Sequence, residues 1–439
     1  MIPKTVLPLL AALAFVSAAA LAGEPEPWSR EAADARIQKH RTADVTLTVQ
    51  DAAGKPMPGR KVTVSMARHK FLFGCNFFKL DPRVGSPEQK AYQDRYAALL
   101  NYATLPFYWG AFEPREGQTG TDRVRAMAEW CRLRGIITKG HPLIWHQIVP
   151  KWLAGRPLDE VERLQLGRIR REVTDFRGLI DRWDVINETV IMPDYKQEAN
   201  AVTDLCKHLG RVELIKRAFA AAREANPKAT LVLNDYETSD RAVDLARESL
   251  AAGVPVDVIG IQSHMHGGYW GTRKAWDVCE RFAKLGKPLH FTELTLISGD
   301  MRKDIPWHGG RRTDWLTTPE GEERQAREGA EFYRLIFSHP ATEAITWWDF
   351  SDWGAWMGAP SGLVRADMSP KPLYDALIEM IKKEWWTAPQ ELTTDAGGKV
   401  RFRGFLGLYG VSDGMASGSF TADTPGSSTA ACMMVPGVP

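Results

Sequence analysis

Eight short apolar segments alternate with longer amphipathic stretches over most of this chain, and this alternation limits the folds open to it. The apolar segments lie at residues 70–75, 102–107, 136–141, 182–187, 230–234, 257–262, 288–292 and 344–348. Four of the stretches between them have the apolar spacing of helices: 121–134, 158–176, 211–223 and 322–337. Strands that alternate with helices form parallel sheets, and eight such strands close a barrel. The sequence therefore predicts an α/β fold, a (β/α)8 TIM barrel.

The segments outside the barrel predict a small accessory β-module. Residues 43–66 alternate apolar and polar side chains on either side of a Gly- and Pro-containing turn, which indicates a β-hairpin. Residues 398–409 alternate again, so we expect the two pieces to join. The predicted divisions are a leader at 1–22, a linker and hairpin module at 23–69, the barrel at 70–385, a C-terminal β segment at 386–411 and a tail at 412–439. The tail is rich in Gly, Ser, Thr and Ala and is predicted to be disordered.

The first residues are typical of a secretory signal peptide. Lys4 precedes an apolar run at 6–21, and Ala20-Leu21-Ala22 offers small residues for cleavage. Pro8 and the charged residues at 24–30 argue against a permanent membrane anchor. We therefore expect a secreted protein, either extracellular or periplasmic.

Charge and cysteine usage narrow the possible partners. The formal net charge is only +2, so nothing indicates nucleic acid or an anionic membrane as a partner, and we expect a monomer. The five cysteines are widely spaced, odd in number and free of C-x-x-C pairs, which predicts no disulfide framework. The chain also has 16 tryptophans, and indole rings suit the apolar faces of sugars, although most tryptophans are expected in the core.

Polar side chains collect where the predicted strands end. They are His141, Asn187, Glu188, Asn234, Asp235, Gln262, Ser263, His264, Glu293 and Asp349. In a (β/α)8 barrel the carboxyl ends of the strands meet at one rim, which carries the chemistry. This predicts a shared cleft.

Two glutamates at this rim, Glu188 after the fourth strand and Glu293 after the seventh, suggest glycoside hydrolysis. One such glutamate alone would be read as solvated or salt-bridged, but two on opposite sides of the ring could approach to about 5–5.5 Å, as retention of anomeric configuration requires. Asn187 could bond a sugar hydroxyl beside the reacting carbon. His264 could stabilise the Glu293 carboxylate, although it could equally be a buried histidine whose hydrogen bonds are made within the fold and that has no catalytic role.

These residues belong to segments that resemble glycoside hydrolase family 10, typified by endo-β-1,4-xylanases. The matching segments are GHPLIWH (140–146), WDVINE (183–188), NDYE (234–237), GIQSHMH (260–266), HFTEL (290–294), ITWWDFSDWGAW (345–356) and PKPLYDAL (370–377). The resemblance runs from about residue 70 to 381, and the order of the segments is highly specific.

The resemblance implies site residues and a substrate, and no cofactor or metal. It assigns Glu188 as acid/base and Glu293 as nucleophile, with Asn187, Gln262 and His264 as their partners. It also places His141 and Trp145 beside the reacting sugar and Trp348 and Trp356 over it. The implied substrate is the plant polysaccharide xylan, hydrolysed within the chain by double displacement.

This sequence departs from the family pattern at two places. Typical members carry Glu, Asn and Lys after the second strand, where they hold the distal sugar, but residues 101–114 are shorter and place Leu105-Pro106-Phe107-Tyr108 there. An aromatic platform of Phe107, Tyr108 and Trp109 is the predicted replacement.

The second departure is Thr295, which stands where the family's Glu-Leu-Asp run has Asp. A hydroxyl carries no charge, so we expect a less polarised His264 and a shifted pH optimum.

Three other functions stay open at this point. The same chemistry could act on another β-glycan or a short oligosaccharide, because the polar segment is missing. A barrel that only binds carbohydrate has no need of the glutamate pair. A zinc hydrolase is suggested by five histidines on or near the barrel strands, but these lack closely spaced ligands beyond 264–266: His141, His146, His264, His266 and His290.

Overall fold

Sixteen strands and eleven helices make up the computed structural model, which describes residues 25–196, 200–307 and 309–436. The predicted signal peptide at 1–22 lies outside the described residues. The strands, in chain order, are β1 (Thr42–Gln50), β2 (Lys61–His69), β3 (Leu72–Asn76), β4 (Tyr102–Pro106), β5 (Ile137–His141), β6 (Arg182–Asn187), β7 (Thr230–Asp235), β8 (Val258–Ile261), β9 (Leu289–Leu294), β10 (Thr342–Trp347), β11 (Gln390–Thr393), β12 (Lys399–Phe405), β13 (Gly407–Ser412), β14 (Ala416–Ala422), β15 (Gly426–Met433) and β16 (Val435–Pro436).

The helices lie mainly between the barrel strands. In chain order they are α1 (Arg30–His40), α2 (Pro87–Leu99), α3 (Trp109–Phe112), α4 (Thr121–Leu133), α5 (Leu158–Asp175), α6 (Ala201–Leu209), α7 (Arg211–Ala225), α8 (Asp240–Ala251), α9 (Gly271–Ala283), α10 (Pro319–Ser338) and α11 (Pro372–Glu379). None of the helices in the described ranges is long and apolar enough to cross a membrane.

Strands β3 to β10 form the closed parallel barrel that the sequence predicts. Each pairs with its neighbour in chain order, and β10 closes the ring against β3. The eight predicted strands coincide with these eight to within two residues at each end. The prediction succeeds because both faces of a barrel strand are buried, so each reads as a short continuous apolar run.

The accessory module is also confirmed, and it is built from two sheets. One sheet has the order β12-β1-β15, and the other has the order β11-β2-β13-β14-β16. Strands from the N-terminal segment therefore pair with strands from the C-terminal segment, as expected.

The predicted β-hairpin at 43–66 is wrong, because β1 and β2 belong to different sheets. Their antiparallel partners are the consecutive strands β12 and β13, and only Leu406 separates these two. The two sheets bury apolar side chains between them, where Phe402 of β12 meets Tyr409 of β13 at 5.5 Å between ring centroids. A single hairpin sheet would leave that apolar face uncovered.

The tail also differs from the expected disorder, since β14, β15 and β16 occupy most of residues 416–436. Strand β15 pairs in parallel with β1, and β14 pairs with β13. Phe420 and Cys432 are buried. Composition misleads here because the pairing is made by backbone groups, which Gly, Ser and Ala supply as well as other residues do.

The module lies at the end of the barrel where the strands begin. A cavity of about 310 Å³ between the two is lined by Leu72, Ile137 and Arg182 from the starts of barrel strands and by Leu406 and Pro425 from the module. The opposite rim, where the strands end, is therefore free of the module.

Candidate active site

The polar side chains predicted at the strand ends meet at one rim of the barrel. Five of them are at most 8% exposed, so they form a cluster that is almost closed to water: Asn187 at the end of β6, Glu188 after β6, Asn234 in β7, Gln262 after β8 and Glu293 in β9. The parallel register places the ends of these neighbouring strands side by side. Low exposure strengthens each electrostatic interaction in the cluster.

Glu293 is surrounded by groups that stabilise its carboxylate. Asn234 Nδ2 donates to Oε1 at 2.8 Å, and His264 Nε2 lies 3.0 Å from Oε2. His141 Nε2 lies 3.9 Å from Oε1. Burial alone would raise the pKa of Glu293, but the charges and hydrogen bonds of His141, His264 and Lys139 outweigh it and hold the pKa below its usual value.

Glu188 has the opposite environment. Its carboxyl accepts hydrogen bonds from Gln262 Nε2 at 3.0 Å and from Asn187 Nδ2 at 3.2 Å. Among the described residues the nearest basic side chain paired with it is His146, whose Nε2 lies 3.9 Å away and whose own pKa is lowered by burial to about 4. Burial therefore dominates and, with the negative charges of Asp235 and Glu293, raises the pKa of Glu188 to about 8.

The backbone of Glu188 is bent into the left-handed region, with φ of 57°. A side chain other than glycine adopts this conformation only when its surroundings enforce it. Here the Glu188 amide donates to the Asn234 carbonyl at 2.9 Å, which anchors the bend to the next strand. The bend directs the carboxyl over the mouth of the barrel.

One chain of hydrogen bonds connects the two glutamates. Asn187 Oδ1 accepts from Gln262 Nε2 at 3.1 Å and from Asn234 Nδ2 at 2.7 Å. Gln262 in turn donates to Glu188, and Asn234 donates to Glu293. The two carboxyls therefore face a common space, one protonated and the other ionised at neutral pH.

A buried charge cluster supports His141 from below. His141 Nδ1 lies 2.7 Å from Asp184 Oδ2, and Lys139 Nζ lies 2.6 Å from the same oxygen. The sequence analysis identified His141 but missed Lys139 and Asp184. Charged residues inside apolar barrel strands are a signal that could have found them, since Lys139 lies two positions before His141 and Asp184 lies four positions before Glu188, and alternate residues of a strand share a face.

Thr295 takes the position of the family's aspartate, and the structure places it against His264. Its Oγ1 lies 3.1 Å from His264 Nδ1, while the other ring nitrogen faces Glu293. The hydroxyl also donates to the Glu293 carbonyl at 3.3 Å. The histidine is therefore oriented by a neutral group.

Aromatic rings wall the space above the glutamates. Trp348 is close to His141 and His264, with ring centroids 5.4 and 5.7 Å away. Trp356 lies 4.8 Å from His264 and is 37% exposed. Tyr108 lies 5.4 Å from His141 and 5.3 Å from Trp145, so these four predicted residues do reach the site.

The other two members of the predicted platform do not reach it. Phe107 is fully buried against Phe112, Phe176 and Trp183. Trp109 is 6% exposed, and its indole N–H donates to Glu113 at 3.0 Å. Adjacent residues leaving a strand point in different directions, so only Tyr108 faces the cleft. The assignment of Trp109 to substrate binding is therefore not supported by its position.

Phe78 is a further aromatic residue of the wall that the sequence analysis missed. Its ring lies 5.7 Å from Tyr108 and 5.4 Å from Trp348. It lies two residues after Asn76, the last residue of β3, and its apolar side chain set it apart from the polar strand-end residues that the sequence singled out. Among the described residues, no group of three His, Cys, Asp or Glu side chains is arranged to hold a metal ion.

Comparisons with known proteins agree with this geometry. The sequence model of glycosyl hydrolase family 10 matches residues 85–380, more than half of the chain. Endo-1,4-beta-xylanase B of Thermotoga neapolitana is 28% identical over 334 residues, covering 72% of this chain and 88% of that relative. Anti-sigma-I factor RsgI6 of Acetivibrio thermocellus is 25% identical over 393 residues, covering 86% of this chain but only 46% of that relative.

A solved structure shares the architecture. Xylanase 10B from Thermotoga petrophila RKU-1, crystallised with xylobiose, superposes with a TM-score of 0.59 at 26% identity. The match covers 72% of this chain and 95% of that structure.

Proposed function

Because the chain belongs to glycosyl hydrolase family 10, we propose that it is a retaining endo-β-1,4-glycanase that hydrolyses xylan, with Glu188 as acid/base and Glu293 as nucleophile. The observation that carries the proposal is the chain of hydrogen bonds between two buried carboxyls, whose surroundings raise the pKa of Glu188 to about 8 and lower that of Glu293. Retaining hydrolysis needs one carboxylic acid and one carboxylate at the same sugar.

In the first step the protonated Glu188 gives its proton to the glycosidic oxygen. The bond from the anomeric carbon to that oxygen breaks, and a carboxylate oxygen of Glu293 forms a bond to the same carbon from the opposite face. His264 and Asn234, which hold the Glu293 carboxylate at 3.0 and 2.8 Å, keep it ionised until it attacks.

In the second step a water molecule attacks the anomeric carbon and Glu293 leaves as a carboxylate. Glu188, now ionised, accepts the proton of the water, which restores both groups and gives net retention. The charge of Glu293 disappears in the intermediate, which removes one of the charges that raise the pKa of Glu188. The pKa of Glu188 therefore falls in the intermediate, which favours the ionised carboxylate that the second step needs as a base.

The neighbouring side chains position the sugar. Asn187 already bonds Glu188, Gln262 and Asn234, so its amide is fixed at the mouth, where it can meet a hydroxyl beside the reacting carbon. Trp348 and Trp356 supply apolar faces, and Tyr108 and Trp145 line the same space.

Xylan is proposed as the substrate because the match covers 88% of the Thermotoga neapolitana xylanase and 95% of the Thermotoga petrophila xylanase structure. The runner-up is the same chemistry on another β-glycan or on a short oligosaccharide. It is favoured by one observation: the segment after β4 places the ring of Tyr108, and not a set of polar groups, beside His141. Fewer hydrogen bonds would weaken the binding of a sugar ring away from the reacting centre.

A substrate panel tests the proposal. We expect the protein to release xylo-oligosaccharides of mixed length from xylan, with the β-anomer formed first in a proton NMR time course. Mixed-linkage glucan and an aryl xylobioside are the comparison substrates. Initial release of the α-anomer would contradict retention, and release from glucan without release from xylan would favour the runner-up.

Glu293→Ala separates an enzyme from a carbohydrate-binding barrel. We expect turnover to disappear while xylo-oligosaccharide binding remains measurable by calorimetry. A protein that shows no turnover before the substitution and unchanged binding after it would be a binder only.

The proposal extends to location and partners. A secreted monomer whose only partner is a polysaccharide is consistent with the leader-like first residues and with the small net charge of +2. Secretion of the full chain with cleavage after Ala22, read by N-terminal sequencing of the exported protein, is the expected result.

A further inference from the structure

The described residues between β9 and α10, 295–307 and 309–318, extend the active-site rim. This segment has its own small core, in which Ile297, Trp315 and Ala359 are buried and Ile305 packs against them. The indole N–H of Trp315 donates to the Asp300 carbonyl at 2.9 Å. A loop with a core and internal hydrogen bonds presents its side chains in a defined place.

Crossed ion pairs tie the middle of this segment together. Arg302 lies 3.2 Å from both Asp304 and Asp314, and Arg312 lies 2.5 Å from Asp304 and 3.0 Å from Asp314. A single exposed pair contributes little, but a network of several charges fixes geometry better. The amide of Arg312 also donates to the Met357 carbonyl at 2.9 Å, which attaches the segment to the turn that carries Trp356.

Trp307 stands on this segment with 39% of its surface exposed, beside Trp356 with 37% exposed. Their ring centroids are 5.9 Å apart. Both rings contact His266, each at 5.2 Å between centroids. Trp356 also contacts His264, which bonds the carboxylate of Glu293. An aromatic path thus runs from the reacting centre outwards to Trp307.

His266 adds a second sign that the place is functional. It is fully buried, and neither of its ring nitrogens has a hydrogen-bond partner in the part of the chain that the structure describes. Burial lowers its pKa well below the usual value, so the ring is neutral. Buried polar side chains without partners are rare in folded proteins and call for an explanation. Here the imidazole ring packs against both indoles and holds them in place.

We propose that Trp307 forms a further sugar-binding subsite next to Trp356, which takes a second pyranose ring of the same β-1,4-linked chain whose reacting ring lies at Glu188 and Glu293. This inference rests on the proposed function. Indole faces pack against the apolar faces of sugar rings, and the two exposed indoles continue the wall that begins beside the nucleophile. His266 acts as a positioning residue for the pair.

The test compares wild type with Trp307→Ala on β-1,4-linked xylo-oligosaccharides of increasing length and on an aryl xyloside with a single sugar. We expect kcat/KM on the longest oligosaccharides to fall about tenfold, which corresponds to about 1.4 kcal/mol. The fall is carried mainly by KM, and the loss on the aryl xyloside is at most about twofold. Trp307→Phe, which keeps an aromatic face, recovers part of the loss.

Leu316→Ala is the matched control, because Leu316 is an exposed apolar residue of the same segment, 70% exposed. It should behave as wild type on every substrate. Equal losses for Trp307→Ala on the aryl xyloside and on the longest oligosaccharide would overturn the subsite, as would no loss on any substrate. Wild type that cleaves none of these substrates would instead contradict the proposed function itself, so the two failures are distinct.

Discussion

At the scale of single residues, the site depends on giving two glutamates opposite protonation in one dry cleft. Burial acts on both, and it raises the pKa of any carboxyl that has no compensating charge. Glu293 has His141 and His264 within 3.9 Å, while Glu188 accepts hydrogen bonds from amide groups and, in the part of the chain that the structure describes, has no charged partner at hydrogen-bonding distance. The difference in neighbours, more than the residue type, assigns the two roles.

This difference predicts the pH dependence of activity. Glu188 works protonated, so kcat/KM should fall as the pH rises through about 8. Glu293 works ionised, so kcat/KM should also fall at low pH, with a midpoint below the usual pKa of glutamate. Glu188→Gln should remove the alkaline limb and lower kcat/KM on xylan by about 10²–10⁴-fold. An alkaline limb that survives this substitution would assign it to another group.

Thr295 predicts a second, smaller effect. An aspartate in its place would pair with His264 Nδ1, now 3.1 Å from the threonine hydroxyl, and hold a proton on the ring more firmly. The carboxylate of Glu293 would then be favoured, and the acid limb of the profile should move to lower pH by about one unit. Thr295→Val, which removes the hydroxyl at nearly constant volume, is the control. A pH profile unchanged by Thr295→Asp would contradict the prediction that the residue at position 295 affects the ionisation of Glu293 through His264.

At the scale of elements, the barrel strands approach each other more closely than side chains usually allow. Gly140 of β5 faces the indole of Trp183 in β6, and a methyl group at position 140 would lie 2.2 Å from that ring. Because Trp183 is fully buried, it has no free space into which to move. This close packing holds β5 and β6 in the register that brings His141 and Glu188 to the rim.

The packing predicts opposite effects of one substitution at two glycines. Gly140→Ala should lower the free energy of unfolding by about 1–3 kcal/mol or more, because it overpacks the barrel. Gly167→Ala, on the exposed face of α5 with nothing within 4 Å, should raise it by about 0.5–1 kcal/mol through helix propensity. Denaturant unfolding of both variants measures the effects, and equal signs would contradict the argument.

At the scale of the whole molecule, the accessory module covers the end of the barrel opposite the active site. Its two sheets draw strands from both ends of the chain, so β1 is paired on one side by β12 and on the other by β15. The last strands complete the module, since Phe420, Cys432 and Met434 are buried. The strands of the module, β1, β2 and β11 to β16, therefore contribute to stability but not to the chemistry.

Removal of residues 413–439 tests this division. The truncation uncovers one edge of β1 and one edge of β13. It also removes Phe420 and so exposes the rings of Phe402 and Tyr409 that pack against it. The free energy of unfolding should therefore fall by at least about 3 kcal/mol. Activity per folded molecule at low temperature should stay near that of the full chain, because the rim lies at the other end. A melting temperature unchanged by the truncation would show that the tail does not pack.

The sequence by itself determined the barrel, the ends of its strands and the positions of the two glutamates. A strand that is buried on both faces appears in the sequence as a continuous apolar run, and a polar residue at the rim marks where that run ends. Tertiary structure alone decided which of Phe107, Tyr108 and Trp109 faces the cleft, and that β1 and β2 join separate sheets. It also brought Lys139 and Asp184 beneath His141 and Trp307 beside Trp356. These are contacts between side chains or backbones far apart in the chain, and their geometry is set by packing, which no local pattern records.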